Sequence, residues 1–166
     1  MEQRDLYDKN RNLIGKTISK GVHPPEGTYI QVVLVFIQND EGKFLIQKRS
    51  EVKNGLYATT GGHPKTGENS LQGLLSEVRE ELGLKLKPKE VEWYYGGRSD
   101  EERVFWDDYY AKVDNLDLSK LKIQEEEVDS VCWLSADEII ELRDQGKFFL
   151  NHFDEFEELL KWLKRR

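Results

Sequence analysis

Residues 62–84 read GHPKTGENSLQGLLSEVREELGL, a glycine-rich turn that leads into the clearest helical pattern of the chain. An apolar stripe with the i, i+3, i+4, i+7 spacing of a core-facing helix is formed by Leu71, Leu74, Leu75, Val78 and Leu82. Gly83 is expected to end the helix, because glycine readily adopts the left-handed conformation found at helix C-termini. The pattern therefore predicts a helix over residues 69–82 that packs its stripe into a core.

Three glutamates lie on the predicted helix away from the centre of this stripe. At about 100° per residue, Glu77, Glu80 and Glu81 fall at about 240°, 180° and 280° from Leu71, so they share one face. Carboxylates this close repel one another unless they are solvated or share cations, and Mg²⁺ prefers such oxygen ligands. Taken alone, a solvated acidic face with Arg79 as a partial counterion would explain them better.

The loop and helix together resemble the Nudix box, G-x5-E-x7-R-E-U-x-E-E-x-G-U, in which U is an aliphatic residue. The matching positions are Gly62, Glu68, Glu77, Val78, Glu80, Glu81, Gly83 and Leu84. Only the arginine position differs, and it holds Ser76. In the family this arginine pairs with and orients neighbouring glutamates, so the serine puts catalytic efficiency in doubt more than the fold. The chain is identified as a MutT-like Nudix hydrolase.

The resemblance implies an α/β/α sandwich around a central mixed sheet, in one domain over residues 1–166 with the Nudix box at 62–84. Residues 5–18 alternate around a polar centre, which predicts an N-terminal β-hairpin. Tyr29–Ile37 and Phe44–Lys48 are predicted to form a central strand pair. Further strands are predicted at Val91–Tyr95, Val104–Val113 and Val128–Leu134, and further helices at Ala136–Gln145 and Phe153–Leu163.

The resemblance also implies a site. Glu77, Glu80 and Glu81 would be catalytic ligands of Mg²⁺, for which Mn²⁺ could substitute. Other residues expected at the metal are Gly62, His63 and Glu68, and those expected at the substrate are Lys48, Gly61 and Gly62. A general base is expected in the acidic run 124–127, with Glu127 as the candidate, although such a run is also typical of a solvated loop.

The expected reaction is Mg²⁺-dependent hydrolysis of a diphosphate bond in a small molecule, such as a nucleoside diphosphate derivative. Residues 5–18 and the segment TTGGHPKTGE also resemble isopentenyl-diphosphate isomerase-like Nudix proteins, and His23 and His63 match two metal-site histidines of those isomerases. However, Gly61 stands where true isomerases carry a proton-transferring cysteine, and Ile30 stands near the place of another metal-binding histidine. Isoprenoid isomerisation and a non-catalytic nucleotide-sensing module remain the alternatives.

Composition limits the partners. The formal net charge of −7 argues against a sequence-independent grip on a nucleic-acid polymer. Cys132 is the single cysteine, which excludes an intrachain disulfide and fits a reducing, cytoplasmic location. The apolar run from Val32 to Ile37 is too short to cross a membrane. The expected partner is a small diphosphate, with a homodimer left open.

Some of the aromatic residues could stack on a base: Trp93, Tyr94, Tyr95, Trp106 and Trp133.

Overall fold

The computed structural model describes residues 2–166 and has the predicted strands and helices in their predicted order, with two further short strands between the fourth strand and the first helix. The strands are β1 (Gln3–Tyr7), β2 (Leu13–Ser19), β3 (Ile30–Gln38), β4 (Phe44–Arg49), β5 (Tyr57–Ala58), β6 (Thr60–Gly62), β7 (Val91–Ser99), β8 (Val104–Lys112) and β9 (Val128–Leu134). The helices are α1 (Ser70–Leu82), α2 (Ala136–Asp144) and α3 (Leu150–Arg165). The predicted hairpin is the β1–β2 pair, which forms a two-stranded antiparallel sheet of its own.

The larger sheet is mixed and has helices on both faces. Strand β3 pairs in parallel with β8 and antiparallel with β6, and β7 continues the sheet beyond β8. Side chains alternate along a strand, so Val33 and Val35 pack on the side of α1, whereas Leu34 and Phe36 pack on the side of α2 and α3. The predicted α/β/α sandwich is therefore confirmed.

The prediction that β3 and β4 form a central pair was wrong beyond their connecting turn. The pairing of the two strands is confined to Gln38 opposite Phe44, after which they diverge. The gap is filled by β5, which pairs with β4, and by β6, which pairs with β3. Between them, the Thr59 hydroxyl donates a hydrogen bond to the Val35 carbonyl. This inserted segment carries the chain directly to the loop in front of α1.

Helix α1 has the predicted bounds to within one residue. The Asn69 side chain accepts a hydrogen bond from the Gln72 backbone, and the Gln72 side chain accepts one from the Asn69 backbone, which forms a capping box. Gly83 ends the helix with φ 67° and donates its N–H to the Arg79 carbonyl at 2.9 Å. Both ends of the helix are thus fixed by local sequence.

Helix α3 covers the opposite face of the sheet. It buries Phe153, Phe156 and Leu159 between the sheet and α2, and the Tyr94 hydroxyl donates to its Glu155 carbonyl at 2.8 Å. Most of its remaining positions are charged, as expected for a helix with one face in solvent. Across residues 2–166, no helix has the length and apolar character that a membrane span requires.

The hairpin is attached to the sheet by Arg11, which lies in its turn. The Arg11 guanidinium forms an ion pair with Asp107 of β8 and donates to the Gln31 side chain of β3 at 2.5 Å. Burial alone would raise the pKa of Asp107, but hydrogen bonds from Arg11, Ser70 and Trp93 lower it overall. Docking of the hairpin places Arg4 and Lys20 beside the cavity described below.

Arg11→Ala should lower the free energy of unfolding at pH 7 by about 1–3 kcal/mol. This is less than expected for breaking a fully buried ion pair, because the Arg11 side chain is 39% exposed and solvent screens its charge. The lowered pKa of Asp107 means that its charge stabilises the fold above the unfolded-state pKa of about 4. This stabilisation is lost as the pH falls towards the folded-state pKa. Urea unfolding of wild type and variant should therefore show a smaller difference at pH 3 than at pH 7.

The control is Lys161→Ala, which removes an exposed ion pair with Glu158 and should change stability by less than about 0.5 kcal/mol. An Arg11→Ala effect that is as large at pH 3 as at pH 7 would show that the ion pair does not attach the hairpin.

Candidate functional site

A cavity of about 650 Å³ opens where β3 and β4 diverge. It is bounded by β6, the C-terminal half of α1, β8, the first turns of α3 and the loop before β9. The predicted site residues that line it are Gly61, Gly62, His63, Glu77, Glu80, Glu81 and Glu127. Lys48 and Glu68 do not line it. The structure therefore brings most of the predicted site together across more than 60 residues of sequence.

Glu77 and Glu81 form a half-buried to buried carboxyl pair within hydrogen-bonding reach of each other. Burial and the neighbouring Glu81 raise the pKa of Glu77 to about 8, and burial also raises the pKa of Glu81. Gln47 of β4 donates to Glu81 at 3.2 Å and to Thr60 at 3.1 Å, so Glu81 has a fixed orientation. Without a cation between them, the two carboxyls must share a proton.

Glu80 has a different environment from the other two glutamates. Its carboxylate is 39% exposed and accepts hydrogen bonds of 2.8 and 3.1 Å from the Lys65 ammonium. In the described chain, no three His, Cys, Asp or Glu side chains converge as a preformed metal cluster. A cation held by Glu77 and Glu81 would therefore gain Glu80 as a third carboxylate only after Lys65 releases it.

Gly62 is required by the close approach of Glu77 to the loop. A Cβ atom at Gly62 would lie 2.5 Å from the Glu77 carboxyl carbon and 2.7 to 2.8 Å from its oxygens. A Cβ at Gly61 would instead meet the Val33 carbonyl of β3 at 2.6 Å. The two glycines thus have separate roles, since one makes room for a site carboxylate and the other for strand pairing.

Ser76, which stands in place of the arginine of the Nudix box, contacts Glu68. The Ser76 hydroxyl donates to one Glu68 oxygen, and the Lys65 backbone N–H donates to the other at 2.8 Å. Ser76 therefore contacts a glutamate of the motif through a hydrogen bond, although it brings no positive charge. Both Glu68 oxygens are occupied in tying the loop to α1, so its geometry favours a supporting role over metal ligation.

Arg49, rather than Lys48, is the cationic residue of β4 that faces the cavity. Residues alternate along a strand, so Gln47 and Arg49 face the same side and Lys48 faces the other. The alternation of side chains along β4 predicts that Lys48 and Arg49 face opposite sides, but it does not say which of them faces the cavity until the orientation of the strand is known. Three more cavity cations come from elements that the sequence analysis did not connect with the site: Arg4, Lys20 and Lys53.

The acidic run before β9 contributes one carboxylate to the cavity. The Gln124 backbone N–H donates to the Glu81 carbonyl at 2.9 Å, which ties this loop to the end of α1. Glu127 lines the cavity and forms an ion pair with Lys53, and the Lys20 ammonium lies 3.9 Å from its carboxylate. Glu126, in contrast, is exposed and lies outside the cavity. Glu127 is therefore the better placed candidate for a general base.

Two histidines line the cavity, and both are held neutral. Burial and the nearby cations Arg4, Lys53 and Lys20 lower the pKa of His63 to about 3. The charges that act on His63 are thus cationic, which does not favour it as a ligand of the glutamate-bound metal. Burial lowers the pKa of His152 to about 3, and its Nδ1 accepts the Thr59 N–H at 3.3 Å. His23 is exposed and lies away from the cavity.

The aromatic residues of the cavity are Trp106 and Phe149. Trp93, Tyr94, Tyr95 and Trp133 do not line it, so of the candidates for base stacking only Trp106 has access. Trp93 is 55% exposed on the other face of the sheet, where its indole N–H donates to Asp107 at 2.9 Å. Cys132 also lies outside the cavity.

Comparison with known proteins shows the family of the chain. The family model described as the NUDIX domain matches residues 28–163. The chain belongs to the Nudix family. An uncharacterized Nudix hydrolase from Listeria monocytogenes is 34% identical over 159 residues, which cover 91% of this chain and 92% of that protein. The similarity between the two chains therefore extends over nearly their whole lengths.

Two solved structures share the fold of this chain at low sequence identity. A crystal structure from Deinococcus radiodurans superposes with a TM-score of 0.70 at 19% identity, covering 89% of this chain and 91% of that one. A bifunctional NMN adenylyltransferase/ADP ribose pyrophosphatase from Francisella tularensis, complexed with AMP and a Mn ion, gives a TM-score of 0.62 at 18% identity. That match covers 85% of this chain and 42% of the other.

Gly62→Ala should move the Glu77 carboxylate and reduce the activity of the site by about 10- to 100-fold, because displacements near 1 Å at a reacting centre have effects of this size. The fold should survive, since the atoms in the way belong to a side chain. On the purified variant, turnover assays would measure the loss of activity, Mn²⁺ titration calorimetry would report the displaced carboxylate, and circular dichroism with thermal melting would show that the fold survives.

Gly61→Ala is the matched comparison. Its Cβ meets strand backbone rather than a side chain, so this variant should lose thermal stability first. Equal loss of melting temperature in both variants, with metal affinity unchanged in Gly62→Ala, would contradict separate roles for the two glycines.

Proposed function

We propose that this Nudix protein hydrolyses the diphosphate bond of a small molecule with the help of a divalent cation, Mg²⁺ or Mn²⁺. The observation that carries the proposal is the Glu77–Glu81 carboxyl pair, buried at one end of a large cavity and adjoining Glu80. A set of carboxylate oxygens suits a hard cation, and a bound cation would replace the proton that the pair otherwise shares.

Cations of the chain itself are available for the phosphate groups. Arg49 makes no ion pair with a carboxylate of residues 2–166, and its guanidinium lies over the Phe149 ring at 4.9 Å. Arg4 is 8% exposed and Lys53 lines the same cavity. A guanidinium can bind two phosphate oxygens at once, so Arg49 and Arg4 are suited to orient a diphosphate.

The chemistry divides between these groups. The bound cation would neutralise charge on the phosphate oxygens and the leaving group. Gln47 holds Glu81 in position, and Gly62 lets Glu77 approach the loop. We propose Glu127 as the proton acceptor for the attacking water, once Lys53 exchanges Glu127 for a phosphate of the substrate. Lys53 thus holds Glu127 at the cavity in the free protein and would release it when substrate enters.

A nucleotide-linked diphosphate is the substrate class that best fits the family. The Francisella protein of the same fold is named an ADP ribose pyrophosphatase and was crystallised with AMP and a Mn ion. Isoprenoid isomerisation finds less support, because Gly61 offers no acid or base and Cys132 lies outside the cavity. A nucleotide sensor without turnover is opposed by the retention of all three glutamates of the helix.

Glu81→Gln should lower kcat by at least about 100-fold, since loss of a metal ligand exceeds the 10- to 100-fold effect of losing its supporting groups. The variant should fold normally, because glutamine keeps the oxygen that accepts the Gln47 hydrogen bond. The measurement is phosphate or nucleotide release from a panel of diphosphates over a Mg²⁺ titration.

Glu41→Gln is the control, since Glu41 is exposed in the β3–β4 turn and lies outside the cavity. It should leave both turnover and Mg²⁺ dependence unchanged. Wild-type activity in Glu81→Gln with excess chelator present would contradict the metal-dependent mechanism.

The hydrolase and isomerase hypotheses separate in one experiment. Isopentenyl diphosphate and nucleoside diphosphate derivatives are incubated with the protein in Mg²⁺ buffer and followed by ¹H and ³¹P NMR. We expect a phosphorylated product from a nucleoside diphosphate derivative and no dimethylallyl isomer, because double-bond migration needs two proton-transfer groups that flank the carbon chain. Isomer formation that disappears in Glu81→Gln would overturn the hydrolase proposal.

A further inference from the structure

Lys65, in the loop before α1, forms an ion pair with one of the three glutamates of that helix. Its ammonium donates to both oxygens of the Glu80 carboxylate, at 2.8 and 3.1 Å. No ion pair of residues 2–166 includes Glu77 or Glu81. Glu80 is exposed, whereas Glu77 is half-buried and Glu81 is buried. A cation of the chain itself therefore neutralises the outermost carboxylate of the site.

The backbone at Lys65 is fixed from two sides, while its side chain keeps room to change partners. The Lys65 N–H donates to Glu68 at 2.8 Å, which ties the loop to α1. On the other side, the Gly67 N–H donates to the Asp5 carboxylate of β1 at 3.0 Å. The Lys65 side chain is 33% exposed and reaches Glu80 through a flexible alkyl stem. Its ammonium can thus exchange partners without any movement of the backbone.

The contact between Lys65 and Glu80 competes with a divalent cation for the same carboxylate. Both Glu80 oxygens accept from the ammonium, so a cation held by Glu77 and Glu81 gains this third carboxylate only when the ammonium leaves. The ammonium would also repel a second positive charge placed beside it. The free protein should therefore bind a divalent cation less tightly than its three carboxylates would otherwise allow.

A diphosphate offers the released ammonium another partner. Its non-bridging oxygens carry negative charge, and lysine binds phosphate as a compact point charge with three N–H donors. Exchange of the Glu80 carboxylate for a phosphate oxygen would leave Lys65 paired and Glu80 free. The pair of Lys53 with Glu127, at the same cavity, has the same composition. Both lysines thus hold a carboxylate of the site until an anion replaces it.

We propose that Lys65 exchanges Glu80 for a phosphate oxygen of the substrate, so that the diphosphate and the divalent cation bind cooperatively. Lys65 is then a substrate-binding residue that also controls when Glu80 becomes available to the cation. This inference rests on the proposed function, because it takes the glutamates of α1 as the ligands of the cation. It assigns a role to a lysine that the sequence analysis did not select.

Mn²⁺ binding to the free protein tests the competition. Titrations followed by electron paramagnetic resonance, which detects unbound Mn²⁺, compare wild type with Lys65→Met, whose side chain has a similar length and no charge. We expect the variant to bind Mn²⁺ roughly 5-fold more tightly, because it loses a partly exposed ion pair and a repelling charge. Lys65→Gln should shift in the same direction, whereas Lys65→Arg should bind Mn²⁺ as wild type does.

The matched control is Lys89→Met, which removes the same charge from an exposed position outside the cavity. Its Mn²⁺ affinity should equal that of wild type. All variants should keep the wild-type melting temperature, because the Lys65–Glu80 pair is partly exposed and contributes little to stability. An equal gain in affinity from Lys89→Met would show that net charge alone causes the effect, and would overturn the proposal.

Methylenediphosphonate, a diphosphate analogue with a carbon bridge, tests the exchange. Isothermal titration calorimetry measures its affinity for the protein with chelator and with saturating Mn²⁺. The ratio of the two affinities is the coupling between anion and cation, and it should be roughly 5-fold larger in wild type than in Lys65→Met, because the variant has no ammonium to transfer. The probe binds Mn²⁺ in solution to the same extent in both titrations, so this effect cancels between the two proteins.

Either of two results would overturn the proposal. Equal Mn²⁺ affinity of wild type and Lys65→Met would show that the ammonium does not compete with the cation. Tighter Mn²⁺ binding by the variant with unchanged coupling would show that the ammonium does not move to the phosphate.

Failure of the proposed function would look different. Mn²⁺ affinity that is the same in wild type and Glu81→Gln would place the cation away from α1 and refute the metal-dependent hydrolase. Mn²⁺ binding that depends on Glu81 but not on Lys65 would refute the exchange alone and leave the hydrolase proposal standing.

Discussion

The divergence of β3 and β4 beyond the Gln38–Phe44 pair shapes the rest of the molecule. Two neighbouring strands that separate leave backbone N–H and C=O groups without partners, and residues 57–62 enter the gap to satisfy them on both sides. Because this segment ends at Gly62, the same hydrogen bonds set the loop against α1 and the Glu77 carboxylate. The opening that remains beyond β6 becomes the cavity.

The resulting cavity has two acidic ends with different partners. At the α1 end, Glu77 and Glu81 face Gln47, and cations of the hairpin and of β4 surround them. At the α3 end, the cavity is lined by the Asp108 and Glu155 carboxyls, which lie within hydrogen-bonding reach of each other, and by the Trp106 indole. Burial raises the pKa of one carboxyl at each end, Glu77 and Asp108, because it disfavours the charged form. The fold therefore keeps two carboxyl pairs in one cavity on opposite faces of the sheet.

Ser76 illustrates how a departure from a motif can be absorbed locally. The family's arginine would bring a positive charge to neighbouring glutamates, whereas the Ser76 hydroxyl brings only a hydrogen bond to Glu68 and leaves the charge to other residues. Lys65, from the same loop, supplies a cation to Glu80 instead. The acidic helix is thus compensated by the loop that precedes it rather than by its own side chain, which keeps the loop and helix together.

The sequence by itself determined the helices, the acidic helix face and all strands except the short β5 and β6, because apolar periodicity, capping residues and the spacing of the Nudix box are local properties. It also predicted Glu127 at the site, although an exposed loop explained that run equally well. Only the tertiary structure decided that Arg49 rather than Lys48 faces the cavity. Side chains alternate along a strand, but which set faces the cavity is fixed only by the elements that pack beside the strand. The pairing of Asp108 with Glu155 was likewise invisible, because it joins a strand to a helix 47 positions later that the sheet and Tyr94 bring together.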